Sequence, residues 1–337
     1  MGRKVRWGVL GVAGIAVKKV IPAMAKCESA EVLGLASREG SKAEAAAEEL
    51  GIQRAYASYE DLIADPDIEA IYNPLPNHLH LPLTVKAAEA GKHVLCEKPI
   101  ALSVAETREL IAARDRTGVL IAEAFMVRHH PQWIRTKELV SSGEIGDLRS
   151  GLGFFSYFNR NPENIRNIPE YGGGALMDIG CYPIYTSRWI FGAEPLRVMG
   201  LVERDPDMKT DRLSSAILEY PTGQMVFTCS TQLVPYQRMQ FFGTKGRVEV
   251  EIPFNAPPDW EARIYVDTGA DLFGGGRQEI IFEAVDQYTL QADDFSHAVL
   301  SGGNPDTKLE DSVANMAVIE ALVRSGESGR WEVPERL

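Results

Sequence analysis

The sequence predicts an α/β protein in two parts: a doubly wound parallel sheet, then an α+β domain with a large, mostly antiparallel sheet. Three observations predict it. Short apolar runs alternate with helical patterns through the first 125 residues, the order expected of βαβ units. A glycine-punctuated turn follows the first run. Beyond residue 125 the pattern changes to period-2 alternation, the mark of strands with one buried face. The predicted domains are therefore 1–125 and 126–337.

In the first domain, strands are expected at 5–10, 31–36, 68–72, 93–96 and 119–123. Helices are expected from Gly14 and at 41–50, 79–90 and 103–117, the last two stopped by Gly91 and Gly118. In the second, period-2 segments fall at 148–158, 197–203, 213–220, 224–232, 236–242 and 246–252, with helices at 131–141, 174–191, 290–301 and 309–325. Trp133 and the aromatics of 236–242 are expected in the core or at a dimer contact.

The chain is 45% apolar and 24% charged, which excludes disorder. Its net charge of −12 argues against nucleic acid, whose phosphates demand a basic surface. The run after Arg3-Lys4 is broken by Arg6 and glycines, so neither an export signal nor a membrane span is expected. Four scattered cysteines fit a reducing cytoplasm, and the lone His78-Leu79-His80 pattern is too little for a metal site.

Gly11-Val12-Ala13-Gly14-Ile15-Ala16 matches the dinucleotide-binding pattern G-x-G-x-x-G/A except at Ala13. A helix opening near Gly14 presents free N–H groups and a positive dipole end to a pyrophosphate. This strand–turn–helix context predicts a Rossmann domain, with Gly11, Ala13, Gly14 and Ile15 at the cofactor. An NAD site usually carries Asp or Glu at the end of the second strand. Here that strand ends in Ser37-Arg38, with Lys42 one helical turn on, which favours NADP over NAD.

Lys98, in Glu97-Lys98-Pro99, stands at the C-terminal end of the fourth strand, the edge where such sheets bind ligands. Gly172-Gly173-Gly174 allows a close backbone approach, and Gly180 leaves room for a ring. Asp178 and Tyr182, four apart, share a helical face. Segment 155–170 mixes aromatics with amides (Phe155, Tyr157, Asn159, Asn161, Asn164), a composition suited to sugars, and Tyr288 and Gln291 are candidates to close the pocket.

Together, the Gly-rich turn, Glu97-Lys98-Pro99 and Gly-Gly-Gly-x-x-x-Asp-x-Gly-x-Tyr resemble the glucose–fructose oxidoreductase/inositol dehydrogenase (Gfo/Idh/MocA) family, over nearly the whole chain. Ala122–Arg128 and Glu310–Met316 extend the likeness. Many members carry His where Tyr182 stands; Tyr resembles the branch of NADP-dependent D-xylose (aldose) and dihydrodiol dehydrogenases. The resemblance implies that Lys98 contacts nicotinamide ribose and substrate, that Tyr182 exchanges the proton, and that Asp178 binds a sugar hydroxyl. Leu75, Pro76, Asn77, His80 and Glu97 would line the cofactor cleft, with Arg166 touching the cofactor; Ile165 replaces the Trp often found before that arginine. Phe155, Tyr157, Asn159 and Tyr288 complete the expected substrate set. A homodimer or homotetramer through the C-terminal sheet is also implied.

Tyrosine ionises near pH 10, too high for a neutral-pH base, so a cationic Lys98 beside Tyr182 would be needed to favour the phenolate. The leading expectation is oxidation of an aldose at C1 to the lactone. The alternatives are a dihydrodiol-type dehydrogenase or carbonyl reductase, a sugar–sugar oxidoreductase with tightly bound cofactor, and an NADP-responsive regulator without turnover.

Overall fold

A computed structural model describes residues 2–336. They divide into two compact units, one running to Arg128 and taking in Asp286–Val313, the other made of His129–Val285 and the residues from Ala314 on.

In the first unit, strands β1 (Val5–Leu10), β2 (Ala30–Ala36), β3 (Arg54–Tyr56), β4 (Ala70–Asn73), β5 (His93–Cys96) and β6 (Ile121–Glu123) form a sheet in the order β3-β2-β1-β4-β5-β6. All its pairings are parallel. Helices cover both faces, so β1 and β4 are almost wholly buried and read as continuous apolar runs. Between β1 and β4 the strand order reverses, which opens a crevice at their C-terminal ends. Helix Val104–Thr117 shows how local chemistry sets the ends: Ser103 Oγ accepts from Glu106 N at 3.1 Å, and Gly118 closes it at φ 73°.

β3 was not expected; three residues with an exposed centre carry no readable period. The domain division also differs from a single cut at 125, because Asp286–Val313 returns to the first unit. The reason is packing. Phe295 is buried against Trp7, ring centres 5.4 Å apart, and Trp7 Nε1 donates to Ser296 Oγ at 3.1 Å. The helix here spans Gln287–Ser301, beginning earlier than expected because Asp286 caps it by accepting from Tyr288 N.

The second unit holds β7 (Leu148–Phe158), β8 (Arg197–Arg204), β9 (Asp211–Tyr220), β10 (Gly223–Ser230), β11 (Gln232–Gly243), β12 (Arg247–Val250), β13 (Ala262–Asp267) and β14 (Arg277–Phe282). Their order is β14-β13-β12-β11-β7-β10-β9-β8, antiparallel except for the central β7–β10 pair. β13 and β14 lie beyond the expected strands. One face is buried through Met225, Phe227, Met239, Phe241, Val248 and Ile264. The register sets Leu152, Ile217 and Leu201 on the opposite face, where Leu201 is 75% exposed.

The expected helix at 174–191 is divided into a π-helical segment, Leu176–Gly180, and an α-helix, Cys181–Phe191. A second π-helical segment, Ala16–Val20, lies in the helix after the glycine turn. Such segments are rare and concentrate at functional sites. Among the described residues no helix is long and apolar enough to cross a membrane.

Candidate active site

In the first unit the glycine turn sits at the strand-order reversal. Gly11 adopts φ 88°, and a Cβ there would come within 2.7 Å of Leu75 Cδ2, so the position is reserved for glycine twice over. Gly14 is exposed, with nothing within 4 Å of where its Cβ would be. Val17 N donates back to Ala13 O, so the helix opens at Ala13–Gly14 with its first amides facing that space. Such an opening has the donors a pyrophosphate needs, so these residues fit a dinucleotide.

At the end of β2, Ser37 is largely buried and its Oγ accepts from Glu39 N at 3.2 Å. Arg38, next to it, is exposed. Burial raises the Tyr59 pKa, and the Arg38 charge opposes that rise. Lys42 Nζ pairs with Glu39 at 2.8 Å on an exposed helix face.

Asn77 opens a 3-10 turn, Asn77–Leu79, directly after Leu75-Pro76. His80 does not line a surface: it is fully buried, with Nε2 and Nδ1 lying 2.6 and 2.8 Å from the carbonyl oxygens of Leu75 and Pro99. Burial holds its pKa down at about 4. His80 therefore shapes the site from behind, joining the loop after β4 to the Lys98–Pro99 loop, where the peptide is cis. Its engagement with backbone also removes it from any pairing with His78 at a metal.

Glu97 and Lys98 are half-buried at the end of β5. Tyr72, wholly buried on β4, donates to Glu97 Oε1 at 2.7 Å, and Lys98 N donates to Oε2 at 3.3 Å. Tyr288 is half-buried and packs against the cluster holding Tyr72. Burial, then the charge of Glu97, pushes its phenol pKa up. Gln291 is buried, its carboxamide lying against the Phe125 and Met126 amides, which is a structural task.

In the second unit, Asp178 is the centre of a small polar network. Tyr157 OH donates to Oδ2 at 2.6 Å and Arg166 Nε to Oδ1 at 3.0 Å. Burial and then the Asp178 charge push the Tyr157 phenol pKa up. Tyr182 is buried, its ring 5.8 Å from Phe155 and 5.2 Å from Phe254. Phe254 was absent from the expected set; it sits in a proline-rich stretch with no readable period.

Gly173, Gly174 and Gly180 have partners other than those expected. A Cβ at Gly174, whose φ is 125°, would lie 1.9 Å from Asp211 Oδ1; one at Gly173 would lie 2.5 Å from Arg166 O. Asp211 is buried, accepts from Leu176 N at 2.8 Å, and so caps the helix that carries Asp178 and Tyr182. Gly180 makes room for Cys229 Sγ, 3.0 Å from its would-be Cβ, rather than for a ligand ring. The amides of 155–170 mostly close turns: Asn159 Oδ1 accepts from Asn161 N, Asn161 Oδ1 from Glu163 N, and Asn164 Oδ1 from Arg166 N. Trp133 is core, its Nε1 donating to Pro253 O at 2.6 Å.

Residues 5–125 match the model of an oxidoreductase family with an NAD-binding Rossmann fold, and residues 133–249 match the Gfo/Idh/MocA C-terminal domain. The chain belongs to the Gfo/Idh/MocA family of NAD(P)-dependent oxidoreductases. It is 48% identical over 329 residues to an uncharacterized oxidoreductase of Rhizobium meliloti, covering 97% of this chain and 98% of the relative. It is 38% identical over 327 residues to D-xylose 1-dehydrogenase (NADP(+)) 2 of Haloferax volcanii, covering 96% and 98%. Among solved structures it is similar to KijD10, a 3-ketoreductase from Actinomadura kijaniata in complex with TDP-benzene and NADP, at TM-score 0.88 and 30% identity over 96% of this chain and 98% of that one. That structure carries phenylalanine in place of a tyrosine, and another of the same protein carries alanine in place of a lysine.

Proposed function

We propose that this Gfo/Idh/MocA oxidoreductase uses NADP to oxidise C1 of an aldose, of the D-xylose or D-glucose type, to the lactone. The observation that carries the aldose reading is the full-length likeness to a D-xylose 1-dehydrogenase, joined to a tyrosine at position 182. The residue roles have their own support: the tyrosine and lysine substituted in KijD10 stand the same number of positions apart as Tyr182 and Lys98.

Ser37 and Arg38 would hold the 2′-phosphate, and the helix opening at Gly14 the pyrophosphate. Bound NADP supplies the hydride acceptor. Tyr182 takes the C1 hydroxyl proton onto its phenolate oxygen, and the Lys98 ammonium favours that phenolate. The Asp178 charge is balanced by Arg166 and the carboxylate is held by the Tyr157 hydroxyl, so it suits hydrogen bonding to an uncharged polyol. A net charge of −12 also favours an uncharged substrate over an anionic one. The exposed sheet face carrying Leu152, Ile217 and Leu201 is the surface through which we place a homodimer or homotetramer.

Hydride transfer to NADP and NAD, followed at 340 nm across aldoses, trans-diols and nucleotide-linked keto-sugars, tests the proposal. Turnover of an aldose with NADP is expected. The Tyr182→Phe variant should lose most turnover while still binding NADPH; undiminished turnover removes Tyr182 from the chemistry. The second reading, reduction of a nucleotide-linked keto-sugar, is favoured by the likeness to KijD10 with TDP-benzene, and turnover confined to such a substrate would establish it.

A further inference from the structure

Tyr72 is a phenol in the middle of a buried parallel strand, between Ile71 and Asn73, where aliphatic residues are the rule. It is 0% exposed. A hydroxyl at such a depth destabilises the fold unless it finds a partner. Its partner is Glu97 Oε1, at 2.7 Å. Glu97 is fixed at two further points: its N donates to Asn73 O at 3.0 Å, and its Oε2 accepts from Lys98 N at 3.3 Å. The carboxylate is thus held from the neighbouring strand and from the loop that carries Lys98. Tyr288 packs against the cluster that contains Tyr72.

We infer that Tyr72 is a positioning residue for cofactor binding: through its hydrogen bond it orients Glu97 and, with it, the Lys98 loop toward the nicotinamide ribose. The inference rests on the cofactor reading above. A carboxylate facing a ribose serves as an acceptor for its hydroxyls only when its orientation is set beforehand, and a buried phenol sets it without adding charge. A hydroxyl-free ring at position 72 keeps the packing and removes that constraint alone.

The test is a fluorescence titration of the full-length protein with NADPH, which needs no sugar, together with steady-state kinetics on whichever substrate turns over. Tyr72→Phe should raise the NADPH Kd about tenfold, with the rise in KM for NADP exceeding the fall in kcat. Glu97→Ala, which removes the acceptor, should weaken binding at least as much. The double variant should be no weaker than Glu97→Ala alone, because without the carboxylate the Tyr72 hydroxyl has nothing to orient. A merely structural role for Tyr72 would lower thermal stability, leave the Kd unchanged and make the two substitutions additive; that pattern overturns the inference. Should Tyr72→Phe fail to fold, wild-type NADPH affinity in Glu97→Ala overturns it equally. A wild-type protein that binds no NADPH instead overturns the cofactor reading itself, so the two failures are distinct.

Discussion

Tyr157 donates its hydroxyl to Asp178 across 2.6 Å, joining the central strand β7 to the π-helical segment that leads into Tyr182. With Arg166 on the other oxygen, the carboxylate is oriented before any substrate arrives. Tyr157→Phe removes one donor and frees that oxygen to turn. The expected result is a rise of about tenfold in KM for the sugar, on the order of 1.4 kcal/mol, with cofactor affinity retained. Steady-state kinetics in sugar at saturating NADP, beside an NADPH titration, checks it.

Arg38 is exposed just beyond β2, and its charge opposes the rise that burial gives the Tyr59 pKa. Arg38→Ala should weaken NADP by about 2 kcal/mol, roughly thirtyfold, as expected for one charge-assisted contact to phosphate, and leave NAD nearly unaffected. The ratio of kcat/KM for the two cofactors reads this directly. An equal loss with both would show that Arg38 serves adenine and not the phosphate.

Gly174 has no room for a side chain. At φ 125° any Cβ is strained, and here it would lie 1.9 Å from Asp211 Oδ1. Gly174→Ala should cost about 3 kcal/mol or more, by backbone strain and by expelling the carboxylate that caps the helix start. A thermal melt shows the loss; Gly14→Ala, with open space around its Cβ, should leave the melting temperature close to wild type.

His130 gives stability a pH dependence. It is buried, its Nδ1 accepts from Gln132 N at 3.2 Å, and burial lowers its pKa to about 4. It caps a helix N-terminus, where a positive charge is unfavourable. The unfolded chain binds this proton near pH 6.5 and the folded chain only near 4, so its stabilisation is complete above 6.5 and is lost as pH falls toward 4. The loss is on the order of 3 kcal/mol. His130→Asn, which can still cap, should flatten that part of the pH–stability curve in urea titrations between pH 4 and 7.

What could be read along the chain depended on local signals. The parallel sheet followed from buried runs alternating with helical periods, the phosphate cradle from glycines between a strand and a helix, and the Lys98 and Tyr182 candidates from short motifs at element ends. β3 and the return of Asp286–Val313 were not legible: the first is too short for a period, and the second is decided by Phe295 meeting Trp7, 288 positions away in sequence.

The sequence by itself determined the layer architecture and the chemical types at the site, because period, turn residues and motif spacing are properties of neighbouring positions. Tertiary structure alone decided the partnerships: Asp211 in the space left by Gly174, Tyr72 on Glu97, Phe254 against Tyr182, and His80 behind the loops rather than facing the cleft. Each joins residues from separate elements. A buried polar group must find its hydrogen bond wherever the packed chain brings a partner, and no local pattern records where that is.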